Sequence, residues 1–172
     1  RQRTTSQAAK STVLSFEPAQ PTIKVGETLT LNVVLDPTSG STANQVSFAK
    51  LIINFDPSKF TTVAGSLAPN PNSPNTLTSV LEDAAYTSGT ASISLSIGAD
   101  PTKVLTTKAN IAILKLKALS QTDSNNPSSI TFDQTTQVLS IAASDRTSEN
   151  VLSTTSPAIV TINSMPSAPS SV

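Results

Sequence analysis

The sequence predicts an all-β protein, an antiparallel β-sandwich or jelly roll of about nine strands. Three observations carry this. Apolar residues alternate with polar ones in short runs: Leu29, Leu31, Val33 and Leu35 in one, and Ala91, Ile93, Leu95 and Ile97 between serines in another. A period of two puts every second side chain on the same face of a strand. The runs are short and are separated by turn formers, as at Pro37-Thr38-Ser39-Gly40-Ser41 and Gly98-Ala99-Asp100-Pro101. No stretch shows the 3.6-residue apolar period of an amphipathic helix, and many short strands with regular turn signals are the pattern of a sandwich.

The elements follow in chain order. Residues 1–11 are polar and aperiodic. They read as an N-terminal extension, before a sandwich over 12–163 and a Ser/Pro-rich linker or tail over 164–172. Thr12 to Phe16 is a first strand, with Leu14 and Phe16 on one face. Pro18 and Pro21 break it, which marks a strand that kinks or switches sheets. Thr28 to Asp36 alternates cleanly. Leu67 to Thr78, with Pro69, Pro71, Pro74 and three Asn residues, reads as a loop, and Leu77 to Leu81 as a short edge strand. Ala91 to Ile97 is half-buried. In Ile111 to Leu119, Ala112, Leu114, Leu116 and Ala118 face inward while Lys115 and Lys117 face water and guard against unwanted pairing. Ile130 to Asp133, Gln137 to Ala143 and Ala158 to Asn163 complete the set.

The stretch from Val46 to Phe55 is apolar on both parities: Leu51, Ile53 and Phe55 on one, Val46, Phe48 and Ile52 on the other. Three readings fit. The strand is covered on both faces, a β-bulge near Ala49-Lys50 shifts the parity, or one face awaits a partner.

Composition narrows the function. Eleven basic and eleven acidic residues cancel, so no net field attracts nucleic acid or an anionic membrane. No apolar run approaches the roughly 20 residues of a membrane span, and no membrane insertion is expected. Ser and Thr supply 52 of the 172 residues and charged residues only 13%, so hydroxyls rather than ions solvate the surface. With no Cys, this surface points to an exported bacterial protein at or outside the cell surface. Arg1, Arg3 and Lys10 make a short basic stretch, either an ordinary polar tail or what remains after a signal or anchor was removed.

Catalysis is poorly equipped. There is no His and no Cys, which removes the commonest general base, the Ser-His triad and thiolate chemistry. The five glycines are scattered singly, so no phosphate loop exists. Asp36, Asp56, Asp100 and Asp133 sit alone at strand ends. Glu82 and Asp83 are adjacent, and on a regular strand they point to opposite faces. No enzyme activity, metal or cofactor is expected. Calcium is the one metal with oxygen ligands on offer, at Asp123-Ser124-Asn125-Asn126 or at Asp145 with Glu149, but both read better as solvated turns. Tyr86 is the lone tyrosine and there is no Trp, which leaves carbohydrate binding few stacking platforms.

Four segments in order carry a family resemblance. They are Val25-Gly26-Glu27-Thr28 before the alternating strand, Asn54-Phe55-Asp56-Pro57-Ser58-Lys59-Phe60, Gly89-Thr90-Ala91, and Ile113-Leu114-Lys115-Leu116-Lys117-Ala118. Together they resemble the cohesin-like β-sandwich family of bacterial surface and secreted proteins, a superfamily close to some carbohydrate-binding modules. The resemblance implies a non-catalytic extracellular module for adhesion or docking to a protein partner. Cellulosomal cohesins commonly carry an Asn and an Asp, two residues apart, on the strand before the Asp-Pro turn. This chain has Phe48 and Lys50 there. The expected partner-binding residues are therefore Val46, Phe48, Lys50 and Ile52, forming a drier contact. Two alternatives stay open. One is a self-assembling fibre or layer subunit, with Arg1, Arg3 and Lys10 in a segment that adds a strand to a neighbour. The other is a carbohydrate-binding module.

Overall fold

The computed structural model describes residues 9–38, 43–141 and 148–165. Two sheets face one another. The first holds β1 (Thr12–Glu17), β3 (Thr28–Asp36), β5 (Phe60–Pro69), β8 (Ala109–Ala118) and β12 (Leu152–Thr155), in the spatial order β12-β1-β3-β8-β5. The second holds β2 (Thr22–Lys24), β4 (Val46–Asn54), β6 (Ser79–Thr87), β7 (Thr90–Ser96), β9 (Ser128–Phe132), β10 (Gln137–Ser140), β11 (Glu149–Asn150) and β13 (Ala158–Asn163). Its order runs β11-β10-β4-β9-β13-β2, with β7 on the other flank of β4 and β6 outside β7. A single 3-10 turn, Pro101–Lys103, is the only helical element among the described residues.

The sandwich forms because the alternating runs give each sheet one apolar face. On β3, Leu29, Leu31, Val33 and Leu35 are buried while Thr28 and Thr30 are exposed. On β8, Ala112, Leu114, Leu116 and Ala118 are buried and Lys115 and Lys117 are exposed, as the alternation predicts. Ile111 is buried as well, because it is the extra residue where the β3–β8 register shifts. The inner faces interlock: Phe16 from the first sheet stacks on Phe132 from the second, with ring centroids 4.3 Å apart and planes 5° from parallel.

Most pairings are antiparallel, and two at the sheet margins are parallel, β1 with β12 and β13 with β2. Both arise where the chain changes sheets. It leaves β1 in the first sheet, passes the prolines at 18 and 21, and enters the second as β2. It makes the same crossing between β12 and β13. Sequence periodicity missed three short strands, β2, β11 and β12. It also missed β5, whose register against β8 breaks between Thr62 and Leu67 around Gly65 (φ +68). A strand with such an interruption has no continuous period of two to detect.

The first strand opens at Thr12, and a buried amide fixes the chain just before it. Asn44 Oδ1 accepts from the Thr12 hydroxyl at 2.7 Å and lies 2.8 Å from Ser11 Oγ, and Asn44 Nδ2 donates to the Ala9 carbonyl at 2.7 Å. Lys10 is exposed beside this network, while Arg1 and Arg3 lie outside the described residues.

Candidate functional site

The outer face of the second sheet is where half-buried apolar side chains and charged side chains meet. β4 runs through it. Leu51 and Ile53 point inward and are fully buried, while Phe48, Lys50, Ile52 and Asn54 alternate with them and remain half-exposed. Phe48 lies opposite Leu139 on one side and Ser96 on the other. Lys50 lies opposite Gln137 and Ser94, Ile52 opposite Ser92, and Asn54 opposite Thr131 and Thr90. One strand further out, Glu82 and Ala85 of β6 face Ser94 and Ser92.

The structure brings Phe48, Lys50 and Ile52 onto one surface and excludes Val46. Val46 is fully buried in the core and cannot touch a docked partner. The cause is a bulge: Leu139 pairs with Phe48 and the next residue, Ser140, pairs with Val46, so Ser47 is the extra residue. The parity shift thus falls two residues before Ala49. It sends Val46 inward and leaves Phe48 and Ile52 on the open face.

Two polar clusters frame this row. On the β6 side, Ser94 Oγ donates to Glu82 Oε1 at 2.6 Å and Lys50 Nζ lies 3.5 Å from the same oxygen. Ser94 is only 1% exposed although it has the outer parity, because this pair closes over it. The Ser94 hydroxyl first, and then Lys50, hold the Glu82 carboxyl below its ordinary range. On the other side Asn54 Nδ2 donates to Asp133 Oδ1 at 2.9 Å, and the Thr135 hydroxyl and amide donate to Asp133 Oδ2. With the Thr135 hydroxyl leading and the Asn54 amide next, these bonds bring Asp133 down to about 2. Residues 133–136 step around Ile52 between β9 and β10. The Asp133 amide donates to the Ile52 carbonyl at 2.7 Å, and Thr136 Oγ1 bonds both the Ile52 amide and carbonyl.

Sequence reasoning missed Glu82, Asp83, Gln137 and Leu139. The register of β6 on β7 shifts between Val80 and Glu82 and again between Glu82 and Ala85. The second shift brings Glu82 and Asp83, expected on opposite faces, to the wall of one pocket of about 90 Å3 that Lys50, Ala85, Ser92 and Ser94 also line. Only cross-strand pairing reveals this.

The other predicted sites resolve as follows. Among the described residues no group of three or more His, Cys, Asp or Glu side chains could hold a metal ion. Asn126 closes a turn by donating its amide to the Asp123 carbonyl at 3.0 Å, and Asp145 lies outside the described residues. Sequence reasoning overlooked that Ser47 and Lys50 have Ser-x-x-Lys spacing, but they stand on a bulged strand and Lys50 is engaged by Glu82. The Tyr86 phenol accepts from the Leu67 amide at 2.9 Å, which pins β6 to β5. Tyr86 is 37% exposed beside a groove of about 320 Å3, lined also by Phe55, Pro57, Phe60 and Thr62.

The sequence model of the cohesin domain matches residues 15–162. This chain belongs to the cohesin-domain family. The folds agree with solved cohesins at low sequence identity. CaCohA2 from Clostridium acetobutylicum is 19% identical, with 90% of this chain and 92% of that one covered and a TM-score of 0.62. The third cohesin of ScaC from Acetivibrio cellulolyticus, solved in complex with the ScaB dockerin, is 15% identical, with 88% and 99% covered and a TM-score of 0.65. A non-cellulosomal cohesin from the hyperthermophilic archaeon Archaeoglobus fulgidus is 12% identical, with 91% and 92% covered and a TM-score of 0.58. No curated protein matches the chain. As a cohesin-domain protein the chain shares this fold, and Phe48 and Lys50 stand on the central strand β4 of its second sheet.

Proposed function

We propose that this cohesin domain is a non-catalytic docking module. It would bind a protein partner on the outer face of β10, β4, β7 and β6, outside a bacterial cell or at its surface. One observation carries the reading: Phe48 and Ile52 stand half-exposed on the central strand, with Leu139 beside Phe48. Apolar side chains held open in the middle of a sheet stabilise a complex by leaving water there. Family membership supports the reading, as does the dockerin seated on the solved ScaC cohesin. The charge-poor, hydroxyl-rich composition suits an exported protein.

The test is capture of secreted and surface proteins of the source organism on the immobilised chain and on its Phe48→Asp variant. The expected outcome is at least one protein retained by the native chain and lost from the variant, with the two chains melting within a few degrees of each other. Equal retention on both would remove this face from the function. Light scattering of the same sample checks assembly, since a docking module is expected to be a monomer of 17.8 kDa and a fibre subunit is not.

A further inference from the structure

The groove beside Tyr86 has a chemistry of its own, apart from the outer face of the second sheet. It measures about 320 Å3 and opens between β5 of the first sheet and the turn joining β6 to β7 in the second. Ala85 stands opposite Ser92, which lies opposite Ile52 on the outer face, whereas Tyr86 stands opposite the buried Ala91. Tyr86 therefore has the inward parity. It reaches across to β5, where its phenol oxygen accepts from the Leu67 amide.

The lining limits what the groove can hold. No charged side chain lines it, so an ionic ligand would meet no opposite charge. The hydroxyls of Thr61, Thr62, Thr87 and Ser88 line it, and none of them is bonded within the described residues. Each offers one donor and two acceptor sites. The neighbouring Phe55 and Phe60 are buried, which leaves Tyr86 and Pro57 as the open apolar contacts. The lining is also set before a ligand arrives. The Leu67 amide fixes the phenol, and the Phe55 amide donates to the Gly89 carbonyl at 2.9 Å. A fixed lining reduces the ordering cost of binding.

An extended peptide is disfavoured as the occupant. It would have to add to β5, the edge strand of the first sheet. The Val63 amide already bonds Ser66 Oγ at 2.7 Å, and the Leu67 amide bonds Tyr86. The β5 register also breaks between Thr62 and Leu67. Phe60 to Thr62 is too short a run to seat an added strand.

We propose that this groove binds a neutral sugar unit of a glycan, with the C–H face of the sugar against Tyr86 and its hydroxyls bonded to Thr62, Thr87 and Ser88. A neutral sugar combines an apolar C–H face with a rim of hydroxyls and carries no charge. The lining offers the complement of each feature. The volume stands at the low end of the roughly 300–1,000 Å3 of ligand pockets, which suits a mono- or disaccharide unit. This site is additional to the docking reading and does not rest on it.

The test is titration of the isotope-labelled chain with maltose, cellobiose, lactose and chitobiose, read by amide chemical shifts, with glycerol as the control polyol. At least one disaccharide is expected to shift the amides of Thr62, Thr87, Ser88 and Gly89 saturably, and glycerol is not. The affinity should fall roughly tenfold or more in Thr87→Ala/Ser88→Ala, which removes two hydroxyls at an exposed turn and leaves Tyr86 anchored. Tyr86→Ala should abolish binding, and the double variant keeps the test decisive if losing the Leu67 bond loosens β6. Phe48→Asp should bind the sugar as the native chain does, so failure of protein capture and failure of this site are read separately. No saturable shift with any of the four sugars would overturn the inference. So would shifts matched by glycerol, or an affinity indifferent to the double variant.

Discussion

Asp133 shows how one side chain ties local structure to solution behaviour. Its carboxylate accepts from the Thr135 amide and hydroxyl and from Asn54 Nδ2, bonds that favour the charged form. With a folded value of about 2, below the usual carboxylate range, Asp133 contributes stability that is fully present above the unfolded value. That stability is lost as pH falls through the folded value. Glu82, Asp56 and Asp100 are lowered in the same direction, each led by a Ser or Thr hydroxyl. The urea midpoint is therefore expected to be flat from neutral pH to about 5 and to drop between about 4 and 2, with a shallower drop in Asp133→Asn. A midpoint that rises on acidification, or an unchanged slope in the variant, would contradict this. The sequence marks Asp133 as a strand-end residue. Its Asn54 partner, 79 positions away in the chain, appears only when β9 lies against β4.

At the level of elements, turns and bulges decide more than the strands do. Gly89 turns β6 into β7 at φ +85, and a Cβ there would sit 2.9 Å from the Phe55 carbonyl oxygen. The neighbour in the way is backbone, so it cannot swing aside. Gly89→Ala is expected to cost about 1–3 kcal/mol from the strained φ and the clash together, read from urea unfolding. A loss under about 0.5 kcal/mol would show that the turn relaxes. The bulge at Ser47 and the two shifts in β6 have the opposite visibility. The doubled apolar parity between Val46 and Ile52 leaves three readings open, a strand covered on both faces, a bulge near Ala49-Lys50 or a face awaiting a partner, and pairing with β10 puts a bulge at Ser47. Nothing in Val80-Leu81-Glu82-Asp83-Ala84-Ala85 announces that both acids reach the same pocket. That outcome depends on which β7 residue each one faces.

Across the whole molecule, the two sheets are held by side chains that reach across the gap. Phe16 is among the largest fully buried residues and stacks on Phe132 of the opposite sheet. Phe16→Ala is expected to lower stability by about 3–5 kcal/mol, in a urea titration that stays cooperative. A loss below about 1 kcal/mol would mean that the core collapses around the cavity. The Phe48→Asp variant should instead leave stability nearly unchanged and abolish partner capture, since Phe48 packs on the face and not between the sheets. The sequence by itself determined the all-β class, the inward faces of β3, β7 and β8, a break after β1 at Pro18 and Pro21, and the family resemblance. All of these are written in local alternation, in prolines and in short motifs. Only the tertiary structure decided the parallel margins, the interrupted β5, the burial of Val46 and the union of Lys50, Glu82, Asp83 and Ser94. The physical reason is that a strand's period assigns faces within one segment. Register between segments is set by pairing across dozens of residues, and each bulge rewrites the face of every side chain beyond it.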